Sequence, residues 1–453
     1  MSHFFLRLMY NKIANESFAK SLNNNNMKYK QIDNQLFKNN RERFIAQMEP
    51  NSIAIFCSND EMPRNGDTTF PFRQGSDIFY LSGLDQEDTY LILYPDALVD
   101  SFKEIAFVKE TNEHIAVWEG EKYTKEKATE VSGIKTITWN DQFLGAQTMS
   151  MLNQATTVYL NLNENDRSAT NLPTNDIRLM NQLKERYPLH NFKRSASIMA
   201  TLRAIKQEKE VSLMQTACDI TESTFRKILS FVNPGIMEYE VEAEIIANFI
   251  RNRANGHAYS PIIASGASAC VLHYVENNRE CKDGDLLLMD FGSEYANYAS
   301  DMTRTIPVNG KFSARQKEVY NACLGVFYEA NNLMNPGQTL AEYNGEVFKV
   351  MQSALIDINL IDKSADDKTK AGLTKKYFPH GTSHYLGLDV HDIGNRYAKM
   401  EENMCFTIEP GIYIREENLG IRIENDFIVK SGKNIDLMKN IPITVEEIEG
   451  LMN

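Results

Sequence analysis

The 453-residue chain has no apolar run of about 18 residues, the length that a membrane-crossing helix requires, so no membrane span is expected. It also lacks a cluster of Lys and Arg: 48 basic residues against 61 acidic ones leave a formal charge of -13. Binding nucleic-acid phosphates calls for the opposite balance, and no nucleic-acid partner is expected. Cysteine is scarce and dispersed. Cys57, Cys218, Cys270, Cys281, Cys323 and Cys405 form no C-x-x-C pair, which removes zinc ribbons and dithiol redox motifs. Most lie among apolar neighbours, as in SACVLHY and ENMCFTIEP, and read as buried free thiols in a reducing, cytoplasmic setting. The apolar stretch of MSHFFLRLMYNK is broken by Arg7 and Lys12, which suits a secretory leader poorly. With the Asn23–Asn26 run behind it, residues 1–26 are expected to be a disordered lead-in or untranslated, Met27 being the alternative start.

What remains has the composition of a globular protein, 42% hydrophobic and 24% charged, long enough for two or three domains. Over residues 27–195 the strand-like stretches SIAIFC, TYLILYP, EIAFVK and TVYLNL alternate with polar, helix-compatible segments, the pattern of an α/β domain. A new pattern begins in KRSASIMATLRAI, which puts a domain boundary near residue 195 and a second domain over 196–453.

That second part contains an internal repeat. Residues 207–231 form a helical pattern ending in Asn233-Pro234-Gly235, and a second helix opens at Glu238 and Tyr239. Residues 313–334 form another, ending in Asn335-Pro336-Gly337, followed by Glu342, Tyr343 and a further helix. Pro-Gly stops each first helix, and Ser313 with Gln316 fits a capping box. Each unit then gives way to strands carrying two isolated carboxylates: Asp290 in DLLLMDFG and Asp301 in NYASDMTRTIPV, then Glu409 in CFTIEPGIYI and Glu424 in GIRIENDFIV.

Ionised carboxylates among such apolar neighbours are costly unless paired or metal-bound. No matching supply of buried Lys or Arg is evident, although Arg422, on the strand face of Glu424, can compensate one. Two divalent cations would neutralise all four. Oxygen-rich ligation favours manganese, or the borderline ions cobalt and zinc, and a pair of such ions suits metal-assisted hydrolysis.

Three of eight histidines, His380, His384 and His391, fall within HGTSHYLGLDVHD. His380 and His384 have the spacing of an H-E-x-x-H zinc protease, but position 381 is Gly rather than the Glu that serves as its base. Gly381, Gly387 and Gly394 also speak against a long helix here and let the segment bend. With four carboxylates present, one imidazole completes a dinuclear site and two are left for substrate or proton movement. His273, in CVLHYVENN, is a fourth candidate.

Asp290, Asp301, HGTSHYLGLDVHD, TIEPGIY and GIRIEND together resemble the M24 metallopeptidases of the pita-bread fold, on their aminopeptidase P and prolidase branch. RNGDTTFPFRQGSDIFYLSGL, residues 64–84, is similar to the domain that precedes the catalytic one in aminopeptidase P. The resemblance implies an N-terminal creatinase-like α/β domain over 27–195 and a catalytic pita-bread domain with pseudo-twofold repeat over 196–453. It implies five metal ligands, Asp290, Asp301, His384, Glu409 and Glu424, holding two ions, usually Mn²⁺. It also implies removal of the first residue from peptides with proline second, by a metal-bridging hydroxide. His273 and His380 would flank the scissile peptide, His380 donating a hydrogen bond to its carbonyl oxygen. His391 would line the pocket, Glu409 would double as acid and base, and Arg422 would orient Glu424 and the surroundings of Asp290. Tyr259 and Tyr413 match positions near substrate. A homodimer or homotetramer is implied as well.

Two rival readings remain. Prolidase, an Xaa-Pro dipeptidase, shares the ligands; Ser383, where prolidases often carry Gly, and the 64–84 segment favour the aminopeptidase. Non-catalytic pita-bread binding modules lose several ligand positions, and all five are filled here.

Overall fold

The computed structural model describes residues 29–165 and 172–452; the expected lead-in at residues 1–26 lies outside them. Helix α1 (Gln35–Ile45) buries Leu36, Phe37 and Phe44 on one face. It leads into a six-stranded mixed sheet built from β1 (Ser52–Cys57), β2 (Tyr90–Leu93), β3 (Glu104–Val108), β4 (Thr136–Trp139), β5 (Thr157–Leu160) and β6 (Asn191–Arg194), with helix α2 (Ser76–Ser82) between β1 and β2. The strand order is β4-β3-β2-β1-β5-β6, β1 running antiparallel to β2 and parallel to β5. Side chains alternate across β1 with period two. Ile53, Ile55 and Cys57 join an apolar cluster with Leu152, Leu179 and Leu183, whereas Ala54 and Phe56 join a second cluster that continues through α2 and into the rest of the chain. The four strands that stand out in the sequence are the interior ones. The two edges, β4 and β6, are half-buried or exposed and so lack the apolar signature.

Helix α3 (Ala196–Ala204) buries Met199 and Leu202 in that shared cluster and carries the chain into two helix pairs. These are α4 (Glu208–Leu229) with α5 (Glu238–Arg251), followed by strands β7 (Ile262–Ser265), β8 (Leu286–Asp290) and β9 (Thr303–Pro307); then come α6 (Ala314–Leu333) with α7 (Leu340–Asp357). The repeat is thus present in the backbone. Gly235 and Gly337, the glycines of the two Asn-Pro-Gly turns, share the left-handed conformation, at φ 93° and 94°. Capping boxes open α4 through Gln207 and Glu210, α6 through Ser313 and Gln316, and α7 through Thr339 and Glu342.

The strands of the two halves differ in detail. In the first, β7, β8 and β9 form one antiparallel sheet. In the second, β10 (Cys405–Ile408) pairs with β13 (Asn425–Ile428), while β11 (Gly411–Ile414) pairs with β12 (Leu419–Arg422). Glu409 and Pro410 form the corner between β10 and β11. The halves join where the Glu424 N–H donates to the Thr303 carbonyl at 3.0 Å and the Arg422 N–H to Thr305 Oγ1 at 3.2 Å.

One expectation requires correction. Buried basic residues are in fact numerous: Arg41, Arg203, Lys206, Arg304 and Arg422 are each at most 4% exposed. Most are engaged elsewhere. Arg41 pairs with Glu104 and with backbone carbonyls of Leu81 and Ser132. Arg304 is solvated by the carbonyls of Thr303, Glu424 and Pro442 and by Asn425. Most of their partners are distant in sequence, so nothing local marks them as buried. Ser313→Ala is expected to lower the unfolding free energy by about 1 kcal/mol, read as a shifted midpoint in a urea titration; an unchanged midpoint would show that the cap contributes nothing.

Candidate active site

Asp290 closes β8, in register with Ile262 on one side and Thr303 on the other. Asp301 stands two residues before Thr303, after a hairpin whose turn places Ala296 and Asn297 at positive φ. Glu424 lies between β12 and β13 and accepts from Thr303 Oγ1 at 2.7 Å. Thr303 therefore sits next to both pairs. The histidine segment is irregular, yet it is docked along the free edge of β10. The Leu386 N–H donates to the Cys405 carbonyl at 3.2 Å, Thr407 N–H to that of His384 at 3.0 Å, and Glu409 N–H to that of Thr382 at 2.8 Å. This zipper sets His384 beside Glu409.

His384 Nδ1 lies 3.0 Å from the Tyr385 carbonyl, a contact that requires Nδ1 to carry a proton and makes Nε2 the ring nitrogen that faces the carboxylates. Nε2 is 3.4 Å from Asp301 Oδ2 and 3.9 Å from Glu409 Oε1. Asp301, His384 and Glu424 each present one donor atom within 4.8 Å of the others. Asp290 joins through Tyr259, whose hydroxyl is 2.6 Å from Asp290 Oδ1 and 2.5 Å from Asp301 Oδ1. The single phenolic proton serves one of these contacts, so the other is an oxygen–oxygen approach that a carboxyl proton or a cation must bridge.

Among the described residues, one guanidinium donates to a carboxylate of this centre. Arg422 donates through Nη2 to Asp290 Oδ2 at 2.6 Å, through Nε to Thr303 Oγ1 at 3.1 Å and through Nη1 to Tyr413 Oη at 2.9 Å. It thus compensates Asp290 directly and reaches Glu424 by way of Thr303. Burial raises the pKa of Asp290, Glu409 and Glu424, and the neighbouring carboxylates push further against the pull of Arg422. Glu409 is pushed up to about 7. For His384 burial works downward, but the hydrogen bond to Asp301 and the charges of Glu409 and Asp301 prevail and raise it to about 9. Four carboxylates, one imidazole and one guanidinium leave an excess of buried negative charge, and the oxygen-rich donor set fits a divalent cation.

The remaining candidates surround this centre. His380 Nε2 is 2.8 Å from Tyr413 Oη and Nδ1 is 2.7 Å from the Gly381 carbonyl. With Nδ1 protonated, Nε2 accepts from Tyr413, whose oxygen accepts in turn from Arg422. Burial and the Arg422 charge hold His380 down to about 4, so it is neutral near pH 7. Both ring nitrogens are engaged within the protein; donation to a substrate carbonyl by His380 requires a change of partner. His273 is exposed. The His391 ring stands edge-on to that of His384, with centroids 4.6 Å apart.

The glycines of the segment act differently from the expectation. Gly381, Gly387 and Gly394 have no left-handed backbone. A Cβ on Gly387 would meet Asp392 Oδ2 at 2.1 Å and one on Gly394 the Tyr385 ring at 2.5 Å, so those two are required by close packing; Gly381 has room. Sequence reading also passes over Asp426 in GIRIEND. Its Oδ2 accepts the Asp301 N–H at 3.0 Å, and burial raises its pKa well above the usual range. A carboxylate framed by Ile423 and Phe427 in a strand was the available signal.

Residues 212–431 match the model of metallopeptidase family M24, and residues 37–159 that of the aminopeptidase P N-terminal domain. An Xaa-Pro aminopeptidase of Haemophilus influenzae is 33% identical over 92% of this chain and 97% of its own length. Among solved structures, an aminopeptidase of Pseudomonas aeruginosa superposes with a TM-score of 0.85 at 31% identity, covering 93% of this chain and 98% of that one. Aminopeptidase P of Escherichia coli, solved with the inhibitor Pro-Leu and also in zinc-substituted form with product, gives 0.84 at 31% identity over 93% and 99%. The chain belongs to the aminopeptidase P family of M24 metallopeptidases. The fold is the one that the resemblance implies, and the family uses a divalent metal cofactor. Among the described residues no helix is long and apolar enough to cross a membrane.

Loading a cation must displace protons from His384 and Glu409, whose values in the metal-free protein are about 9 and about 7. Proton release on binding is therefore expected to be greatest below pH 7 and to vanish above about pH 9, with affinity rising across that window. Calorimetric titration in two buffers of different ionisation enthalpy measures this; a pH-independent affinity would contradict it.

Proposed function

We propose that this chain removes the N-terminal residue from peptides with proline in second position, using two divalent ions held by Asp290, Asp301, His384, Glu409 and Glu424. The observation that carries the reading is the charge excess at one centre, four carboxylates, Asp301 and Glu424 buried and Asp290 and Glu409 half-buried, facing one guanidinium. Two divalent cations with one hydroxide would balance it, and Mn²⁺ is the ion that the family pattern favours, with Co²⁺ or Zn²⁺ as substitutes. When bound, such ions supply Lewis acidity toward the scissile carbonyl and a water acidic enough to attack near neutral pH.

The chain's own groups supply the remaining functions. Glu409, with its carboxylate beside His384 and His380, is placed to take the proton of the attacking water and return it to the leaving amine. Arg422 and Thr303 hold Asp290 and Glu424 apart from solvent. Tyr259 keeps Asp290 and Asp301 together, while Tyr413 orients His380 beside Glu409. His391 and exposed His273 contact the peptide. We take residues 27–195 and 196–453 as its two domains, a homodimer or homotetramer as its assembly, and the cytoplasm as its location, the last in keeping with six buried free thiols.

The deciding experiment loads the EDTA-treated protein with Mn²⁺ and compares an Xaa-Pro-Yaa tripeptide with an Xaa-Pro dipeptide. Cleavage of the tripeptide at the Xaa-Pro bond is expected; exclusive cleavage of the dipeptide would make the chain a prolidase. His384→Ala is expected to lose metal and at least 100-fold in kcat/KM. Retention of both ions and of activity in that variant would remove His384 from the ligand set.

A further inference from the structure

The histidine segment is also held by an ionic cluster that none of the proposed catalytic steps uses, with Arg203, Lys206 and Asp392 buried and Asp77 and Asp389 half-buried at its rim. Arg203, near the end of α3, is 3% exposed. It donates through Nη1 to Asp77 Oδ1 at 2.8 Å, through Nη2 to Asp389 Oδ2 at 2.7 Å, and also through Nη2 to Asp392 Oδ1. Its Nε alone finds no partner among the described residues. Lys206 donates to Asp392 Oδ2 at 2.9 Å and to the Arg203 carbonyl, so Asp392 is gripped by two cations.

Asp389 and Asp392 flank His391 in LGLDVHD, and Asp77 belongs to the N-terminal half. The chain of contacts then leads straight to the centre. The Asp392 N–H donates at 3.0 Å to the Tyr385 carbonyl, the same oxygen that fixes the tautomer of His384 through Nδ1 at 3.0 Å. From the N-terminal half, Ser76 Oγ donates to Asp389 Oδ1 at 2.8 Å and Arg73 Nη2 to the Leu388 carbonyl at 2.7 Å. RQGSD and Arg203 thus close on the loop from one side, as β10 does from the other.

We propose that Arg203 is a positioning residue for the metal centre, which through Asp392 and Asp389 sets the place of His384 and His391, and through Asp77 makes that place depend on the N-terminal half. Burial opposes the charge of Arg203, yet the three carboxylates hold its pKa well above the ordinary value, so it is a fixed cation at any working pH. A fork of two nitrogens spans three carboxylates; an ammonium, a point charge, cannot. This inference rests on the ligand role assigned to His384, and it is tested in the full-length protein with readouts besides turnover.

Arg203→Lys keeps the charge and loses the fork. Titrated with Co²⁺, it is expected to bind at least 10-fold more weakly than the unsubstituted protein and to show altered visible absorption of the bound ion, with kcat reduced more than KM. Asp77→Asn removes the carboxylate that ties Arg203 to the N-terminal half and leaves the Ser76 and Arg73 contacts in place, so about a 3-fold weakening is expected; it also stands in should Arg203→Lys not fold. His384→Ala run alongside separates the two levels. If it keeps wild-type Co²⁺ affinity, the ligand assignment fails; if it loses metal while Arg203→Lys and Asp77→Asn lower the melting temperature but keep wild-type affinity and spectrum, the cluster is an ordinary interface and the proposal is overturned.

Discussion

The centre of this molecule is organised by a surplus of like charge. Asp290, Asp301, Glu409 and Glu424 converge from two structural repeats on a space that one guanidinium, Arg422, enters. Burying an uncompensated carboxylate costs several kcal/mol on the order-of-magnitude scale of ion desolvation, and the apolar residues of β8 and β10 pack behind this centre. In the metal-free state the penalty appears as raised carboxylate pKa values and a raised His384. The site is stable as protons or as cations, and the protein's hydrogen bonds are arranged for the second. Thr303 fixes Glu424, Tyr259 holds Asp290 and Asp301, and the Tyr385 carbonyl fixes the ring of His384.

The duplicated architecture explains how such a site can be built at all. Each repeat brings a helix pair, a left-handed Pro-Gly turn and a set of antiparallel strands. Neither half buries its acidic pair alone. Contact of β9 with the 422–424 stretch, through Thr303 and Thr305, brings the pairs together and satisfies the strand-edge amides in the same step. The histidine segment then uses the remaining free edge of β10, so that an irregular loop inherits the precision of a strand.

The interior strands, the repeat and the acidic pairs were legible because each has a local signature: period-two apolar residues, Asn-Pro-Gly, a carboxylate among Leu, Ile and Phe. The edges β4 and β6 were not, since an edge strand buries too little to show a pattern. The supply of buried basic residues was illegible for another reason. Arg203 in TLRAIK looks like a helix-surface residue; its partners lie 126 and 189 positions away at Asp77 and Asp392, and no window on the sequence contains both. The glycines of HGTSHYLGLDVHD gave a true signal with the wrong cause. Close approach of Asp392 and of the Tyr385 ring, rather than backbone freedom, demands Gly387 and Gly394.

That last difference matters for how the two halves cooperate. Gly387 lets Asp392 fold back under the loop, where Arg203 and Lys206 can reach it; a methyl group there would occupy the position of its carboxylate. An apolar contact at this junction would tolerate sliding, because dispersion and burial depend weakly on register. An ionic cluster does not tolerate it, since shifting one member leaves a buried charge without its partner, at roughly 3–5 kcal/mol for a broken pair. Buried ion pairs add little net stability but can select one arrangement among many, and here the arrangement held is that of the loop that carries His384.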